Sequence, residues 1–155
     1  MTTFPETPIM AAEPIVFACP HCGAMNRVAQ ERLAEGPNCG RCHLALFTGK
    51  PFALKTDAFD AYALRGGVPL VVDFWATWCG PCLAMAPQFE AAATQLEPRV
   101  RLAKVDSDAE PSLSSRFGIR SIPTMILFAG GREVARQSGA MSTSQIVGWV
   151  RANLP

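Results

Sequence analysis

Six cysteines fall into three Cys-x-x-Cys pairs with none left over: Cys19 with Cys22, Cys39 with Cys42, and Cys79 with Cys82. Sulfurs at this spacing either exchange electrons with another disulfide or grip a metal, and the segments around each pair decide which. Cys79-Gly80-Pro81-Cys82 follows the run Leu70-Val71-Val72-Asp73-Phe74-Trp75-Ala76. That run is nearly continuous in β-branched and aromatic residues, as expected of a strand buried on both faces of a parallel sheet. Beyond the pair, Cys82, Met85, Ala86, Phe89, Ala93 and Leu96 recur at helical spacing. The dithiol is therefore placed at a helix N-terminus, where unpaired amides and the positive end of the dipole favour thiolate over thiol. Cys79 is expected to be the more acidic and more exposed sulfur. Cys82, one turn in, is placed to attack Cys79 once that residue carries a substrate sulfur. Pro81 suits a first helical turn, where its missing amide proton is not needed. Asp73 is a carboxyl inside an apolar run. Desolvated there, its pKa rises and suits proton exchange with a thiol; at a sheet edge it would be merely solvated.

The other two pairs stand as C-x2-C-x16-C-x2-C, within the spacing of a four-cysteine zinc ribbon. Two residues between cysteines let both sulfurs of a tight turn face one metal, and Gly23 and Gly40 supply backbone angles that bring amide protons toward the thiolates. Short strands around Val16 to Ala18, Arg27 to Ala29 and Leu44 to Phe47 would complete the ribbon. So short a segment lacks a sufficient core, and one zinc ion on Cys19, Cys22, Cys39 and Cys42 would supply folding free energy on the order of 10 kcal/mol. Cys19-Pro20-His21-Cys22 is similar, as a tetrapeptide, to the active site of strongly oxidising periplasmic thiol enzymes, but no buried strand leads into it and no amphipathic helix leaves it. His21 and His43 are surplus as ligands once four thiolates complete a tetrahedron. Two disulfides are the alternative for these four cysteines.

The chain has 155 residues and a formal net charge of +1, room for one full domain and a small appendage, with no electrostatic pull on nucleic acid or acidic membranes. No Lys or Arg precedes Arg27, so the positive region of a secretory signal is missing, and no uncharged apolar stretch is long enough to span a bilayer. A cytoplasmic location is expected, where structural disulfides are rare.

The elements that must position these sulfurs follow in order. Residues 1–14 read as a tail, 15–47 as the ribbon and 48–155 as the main domain. Pro51 to Leu54 is a first strand. Thr56 is placed to cap a helix running to about Leu64 and stopped by Gly66-Gly67. The central strand and the long helix come next, with Pro87 removing a bond to the Leu83 carbonyl. Val100 to Val105 is a strand and Glu110 to Phe117 a short helix. Thr124 to Phe128 and Glu133 to Gln137 are antiparallel strands joined through Gly130-Gly131. Ser142-x-x-Gln145 is a capping box that opens a last helix to Asn153.

VVDFWATWCGPC, together with LAKVD at residues 102–106, FGIRSIPTMILF at 117–128 and GGREVARQSGAMS at 130–142, resembles the thioredoxin family over about residues 51–155. The N-terminal ribbon is similar to that of its zinc-containing second class. The resemblance implies an α/β thioredoxin fold, a central mixed sheet flanked by helices, plus the small ribbon. It implies a protein-disulfide reductase in which the Cys79 thiolate attacks, Cys82 resolves and Asp73 assists. Lys104 matches the family's lysine beside the buried aspartate, with a solvated strand charge as its other reading. Pro123 matches the cis-proline facing the disulfide, with the Ile122 backbone free to pair with substrate. Gly139 and Ala140 match a substrate-facing loop, and Trp78, Gly80 and Pro81 complete that surface, Trp78 covering the disulfide. Gly-Pro between the cysteines favours a reductant. A flavin-containing, NADPH-dependent thioredoxin reductase would restore the dithiol, since the chain has no dinucleotide-binding glycine motif and is expected to bind neither flavin nor nicotinamide itself. Disulfide-containing proteins would be the substrates, nucleic acid and membranes would not be partners, and the chain would act as a monomer. The competing function is a zinc-dependent chaperone or binding module that uses the same groove for peptides.

Overall fold

A computed structural model describes residues 13–155; most of the expected 1–14 tail lies outside the described residues. A two-stranded antiparallel hairpin comes first, β1 (Ile15–Ala18) with β2 (Met25–Val28), Val16 opposite Arg27. A five-stranded sheet follows, made of β3 (Phe52–Ala53), β4 (Leu70–Trp75), β5 (Arg101–Asp106), β6 (Thr124–Ala129) and β7 (Arg132–Ser138). Its order is β3-β5-β4-β6-β7, with β3, β5 and β4 parallel and β6 and β7 antiparallel. β4 is thus central, which explains its lack of a polar face.

The period of 2 along β4 divides the core into two layers. Leu70, Val72 and Phe74 pack with Phe59 and Tyr62 of α1 (Phe59–Ala63) and Leu113 of α3 (Pro111–Arg116). Val71, on the opposite face, packs with Met85 and Phe89 of α2 (Gly80–Leu96) and Ile146 and Val150 of α4 (Thr143–Asn153). Asp73 shares the parity of Val71 and so lies on the side of α2, the helix that carries Cys82. α2 continues through Pro87. α4 opens on the expected capping box, in which Ser142 Oγ accepts the Gln145 N–H and Gln145 Oε1 accepts the Ser142 N–H at 2.9 Å.

Three local expectations are corrected. Leu44 to Phe47 is not a strand: pairing is reduced to one bridge between Asn38 and Ala45. Pro37 brings no amide to a ladder, and His43 turns the chain with φ 66°. The second ribbon strand lies at Met25–Val28, two residues earlier than the expected start at Arg27. Thr56 does not cap α1; it begins a turn of 3-10 helix, Thr56–Ala58, and its hydroxyl instead meets Glu110 at 3.2 Å and Ser112 at 3.3 Å on the way into α3.

The same region corrects the role of Gly67. α1 ends at Ala63, before the Gly-Gly pair. Gly67 instead seats the ribbon: its N–H donates to the Val16 carbonyl at 2.8 Å, and a Cβ there would stand 2.9 Å from Ile15 Cγ2. Val68 packs with Phe17, Cys19, Cys39 and Leu46 in the ribbon's own small core, while Ala18 joins the sheet core.

Candidate active site and metal centre

Cys79 and Cys82 are joined in a disulfide with their Cα atoms 5.2 Å apart. Cys79 is the N-cap of α2 in extended conformation, its sulfur accepting the Cys82 N–H at 3.2 Å, and Pro81 occupies the first turn. This is the arrangement that lowers a thiol pKa at a helix N-terminus. The expected difference in exposure is small, with Cys79 at 4% and Cys82 at 1%.

Cys79 Sγ lies 3.8 Å from the Ile122 carbonyl oxygen, and the Ile122–Pro123 bond is cis. Gly139 (φ 97°) donates its N–H to the Pro123 carbonyl at 2.9 Å, which holds the loop of Gly139 and exposed Ala140 beside that turn. Trp75 and Ile122 pack on the disulfide cluster. Trp78, expected as its cover, is 70% exposed, with its indole N–H donating to Asp108 Oδ2 at 2.7 Å. Trp78 and Ile122 line an open groove of about 370 Å³ with Ser107, Ser115 and Arg120.

Asp73 is fully buried, and neither carboxylate oxygen has a hydrogen-bond partner. β4 lies between β5 and β6, which removes the sheet-edge alternative. Burial pushes the Asp73 carboxyl up to about 7, against the pull of Lys104. Lys104 is the register partner of Asp73 on β5, half-buried, with Nζ 4.4 Å from the centre of the Trp75 ring. A carboxyl that titrates near neutrality on the side facing α2 is suited to trade a proton with a thiol there.

The four remaining sulfurs converge. Cys19, Cys22, Cys39 and Cys42 place their Sγ atoms within 4.8 Å of one another, with Cys19 to Cys42 and Cys22 to Cys39 at 3.6 Å. A tetrahedron with metal–sulfur bonds of about 2.3 Å has edges of about 3.8 Å, so the donor set fits zinc. In each knuckle the first sulfur takes amide protons: Cys19 from His21 N at 3.3 Å, and Cys39 from Arg41 N at 3.3 Å and Cys42 N at 3.5 Å. Cys39 is held down to about 5 by the Cys42 N–H first and the Asn26 side chain next. Asn26 was not legible as a site residue. Its amide ties β2 to the second knuckle, Nδ2 donating to Cys39 Sγ at 3.4 Å and Oδ1 accepting the Gly40 N–H at 2.9 Å. His21 is not among the converging donors; its Nε2 lies 3.0 Å from the Ala45 carbonyl and links the knuckles from outside. His43 serves the turn.

A dithiol that closes to a disulfide at a helix N-terminus, with an open groove beside it, defines a protein-disulfide oxidoreductase of the thioredoxin fold. Comparison with known sequences agrees: the model of the thioredoxin family matches residues 50–152, and that of the thioredoxin 2 N-terminal zinc ribbon matches residues 18–44. Thioredoxin C-3 of Corynebacterium nephridii is 44% identical over 140 residues, 90% of this chain and 96% of the relative. The thioredoxin of Alicyclobacillus acidocaldarius is 47% identical over 91 residues, 59% of this chain and 87% of the relative. The chain belongs to the thioredoxin family, and its activity is the reduction of disulfides by the Cys79/Cys82 dithiol.

Proposed function

We propose that Cys79 is the attacking thiolate, Cys82 the resolving thiol and Asp73 the group that accepts the Cys82 proton. Cys79 Sγ attacks one sulfur of the substrate disulfide, the substrate S–S bond breaks, and the other substrate sulfur leaves as a thiolate that takes a proton. Cys82, giving its proton to Asp73, then attacks Cys79 Sγ, and the Cys79–Cys82 bond forms as the second substrate thiolate leaves. Two electrons pass from the dithiol to the substrate. The carrying observation is the Cys79–Cys82 bridge at the start of α2, with Cys79 Sγ facing the Ile122 carbonyl.

Trp78, Gly80, Pro81, Ile122, Pro123, Gly139 and Ala140 form the surface on which an extended protein substrate lies, and Lys104 adjusts the Asp73 proton affinity. An NADPH-dependent thioredoxin reductase supplies the electrons from outside, and flavin and nicotinamide stay with that partner. One zinc ion on the four ribbon cysteines fixes residues 15–47, while 48–155 carry the catalysis. No helix among the described residues is long and apolar enough to cross a membrane; the thiolate chemistry of the metal centre favours a reducing cytoplasm, and the chain works there as a monomer.

Reduction of a protein disulfide with the reductase and NADPH tests the assignment. Cys79→Ser should abolish turnover, whereas Cys82→Ser should accumulate a covalent mixed disulfide through Cys79. Turnover by Cys79→Ser, or mixed disulfides formed through a ribbon cysteine, would reject it. A chaperone module would keep suppressing aggregation in Cys79→Ser without needing any electron transfer.

A further inference from the structure

Arg101 starts β5 and is only 3% exposed. Its guanidinium carbon lies 4.9 Å from the ring centre of Phe52, 5.4 Å from Phe17 and 5.6 Å from Tyr62. Phe17 belongs to the ribbon and the other two rings to the catalytic domain, so the charge sits in the joint between them. Its Nη2 is buried with no acceptor, and Arg101 makes no ion pair among the described residues. The nearby half-buried carboxylate, Glu97, acts on Arg101 through space but makes no ion pair with it, and it accepts the Gly49 N–H at 2.7 Å.

A buried guanidinium without an ion-pair partner costs more than three aromatic faces return. A methionine would fill the same space without that penalty. A second source of negative charge is the ribbon's sulfur cluster. Phe17 leads within two residues to Cys19, and the Tyr62 hydroxyl, whose ring flanks Arg101, donates to the Cys19 carbonyl. A divalent metal ringed by four thiolates keeps two negative charges, and burial of Phe17 and Tyr62 beside Arg101 limits the water that would screen them.

We propose that Arg101 is the countercharge of the loaded metal centre, so that a residue of the catalytic sheet sets how tightly the ribbon holds zinc. This rests on the reading that Cys19, Cys22, Cys39 and Cys42 bind zinc. Charge is the operative property, and Arg101 acts as a positioning residue for the ribbon with no part in thiol exchange.

The test is competition for zinc between a chromophoric chelator and the full-length protein with its ribbon thiols reduced. Arg101→Gln and Arg101→Met should each weaken zinc binding by roughly tenfold or more, while Arg101→Lys should keep most of the affinity. Disulfide reduction by the variants should proceed at the parent's rate. Parental zinc affinity in either the Gln or the Met variant overturns the proposal, the Met result showing that only volume matters. Should these variants fail to fold, the parent decides: the side-chain nitrogen resonance of Arg101 should shift in step with zinc loading, and an unmoved resonance overturns the proposal. A parent that takes up no zinc at all rejects the metal reading and this inference with it. That result differs from one in which parent and variants bind zinc equally.

Discussion

The two ends of this protein use the same four-residue spacing of cysteines for opposite purposes. At Cys79 the chain arrives from a strand buried in the middle of a sheet and leaves as a helix of 17 residues, so the two sulfurs meet each other and close into a disulfide. At Cys19 the chain arrives from a short hairpin strand and leaves by a turn, at Cys39 it arrives and leaves without regular structure, and the four sulfurs meet one another around a common point. Spacing sets what two sulfurs can reach; the element that follows sets what they meet. The energetics are opposed as well. The ribbon is arranged to gain stability from its ligand, while the catalytic end holds a buried carboxyl with no hydrogen-bond partner.

Removing the metal should show the largest difference. With a chelator at neutral pH, amides of residues 15–47 should lose hydrogen-exchange protection, reflecting a contribution on the order of 10 kcal/mol, while β4 and β6 stay protected. If β1 and β2 keep their protection after the metal has gone, the ribbon stands on its own core and the contrast collapses.

The opposite sign is expected at Asp73. Its folded-state pKa of about 7 lies above the ordinary 3.8, so the folded protein binds the extra proton between those values. Stability is lost as pH rises through that window, and the full penalty applies above it. Asp73→Asn should therefore stabilise the protein at pH 8 by up to about 4 kcal/mol and leave it unchanged below pH 4, while slowing the resolving step. Urea unfolding at both pH values measures this; equal effects at both would mean that the carboxyl is not held uncharged by burial.

A smaller effect is expected where the two parts touch. Gly67→Ala would bring a methyl group within 2.9 Å of Ile15 and 3.1 Å of the Val16 carbonyl, and should lower stability by about 1 to 2 kcal/mol. Disulfide reduction should be untouched, because Gly67 precedes β4 and the disulfide follows it. A change in turnover would mean that ribbon seating and catalysis are coupled.

What could be read from the residues alone was what local order encodes. The run from Leu70 to Ala76, the helical spacing after Cys82, the Ser142 capping box and the ribbon cysteines are each specified by neighbours in sequence. Leu44 to Phe47 misled because apolar residues suggest a strand, whereas Pro37 and the turn at His43 restrict pairing to a single bridge. Thr56 misled because its hydroxyl answers residues more than fifty positions away. Tyr62, Arg101 and Asp108 carried no local signal, and the signal at Gly67 was that of a helix stop, not of a seat for the ribbon. Each matters through one contact across the fold, and nothing in its own segment announces that contact. Asn26 had a weak signal, a small amide just after the first knuckle, but its bridge depends on the second knuckle folding back on it.

The ribbon seats against Gly67 and Arg101, where β4 and β5 begin, and the reactive pair follows the end of β4. Six residues of strand, about 20 Å of chain, lie between that seat and the reactive pair. A molecule that carries its own strong sulfur nucleophile is thereby insulated from four further thiolates in the same chain. Exchange between the two sets within one molecule would have to span that strand, so it falls to encounters between molecules, which dilution slows.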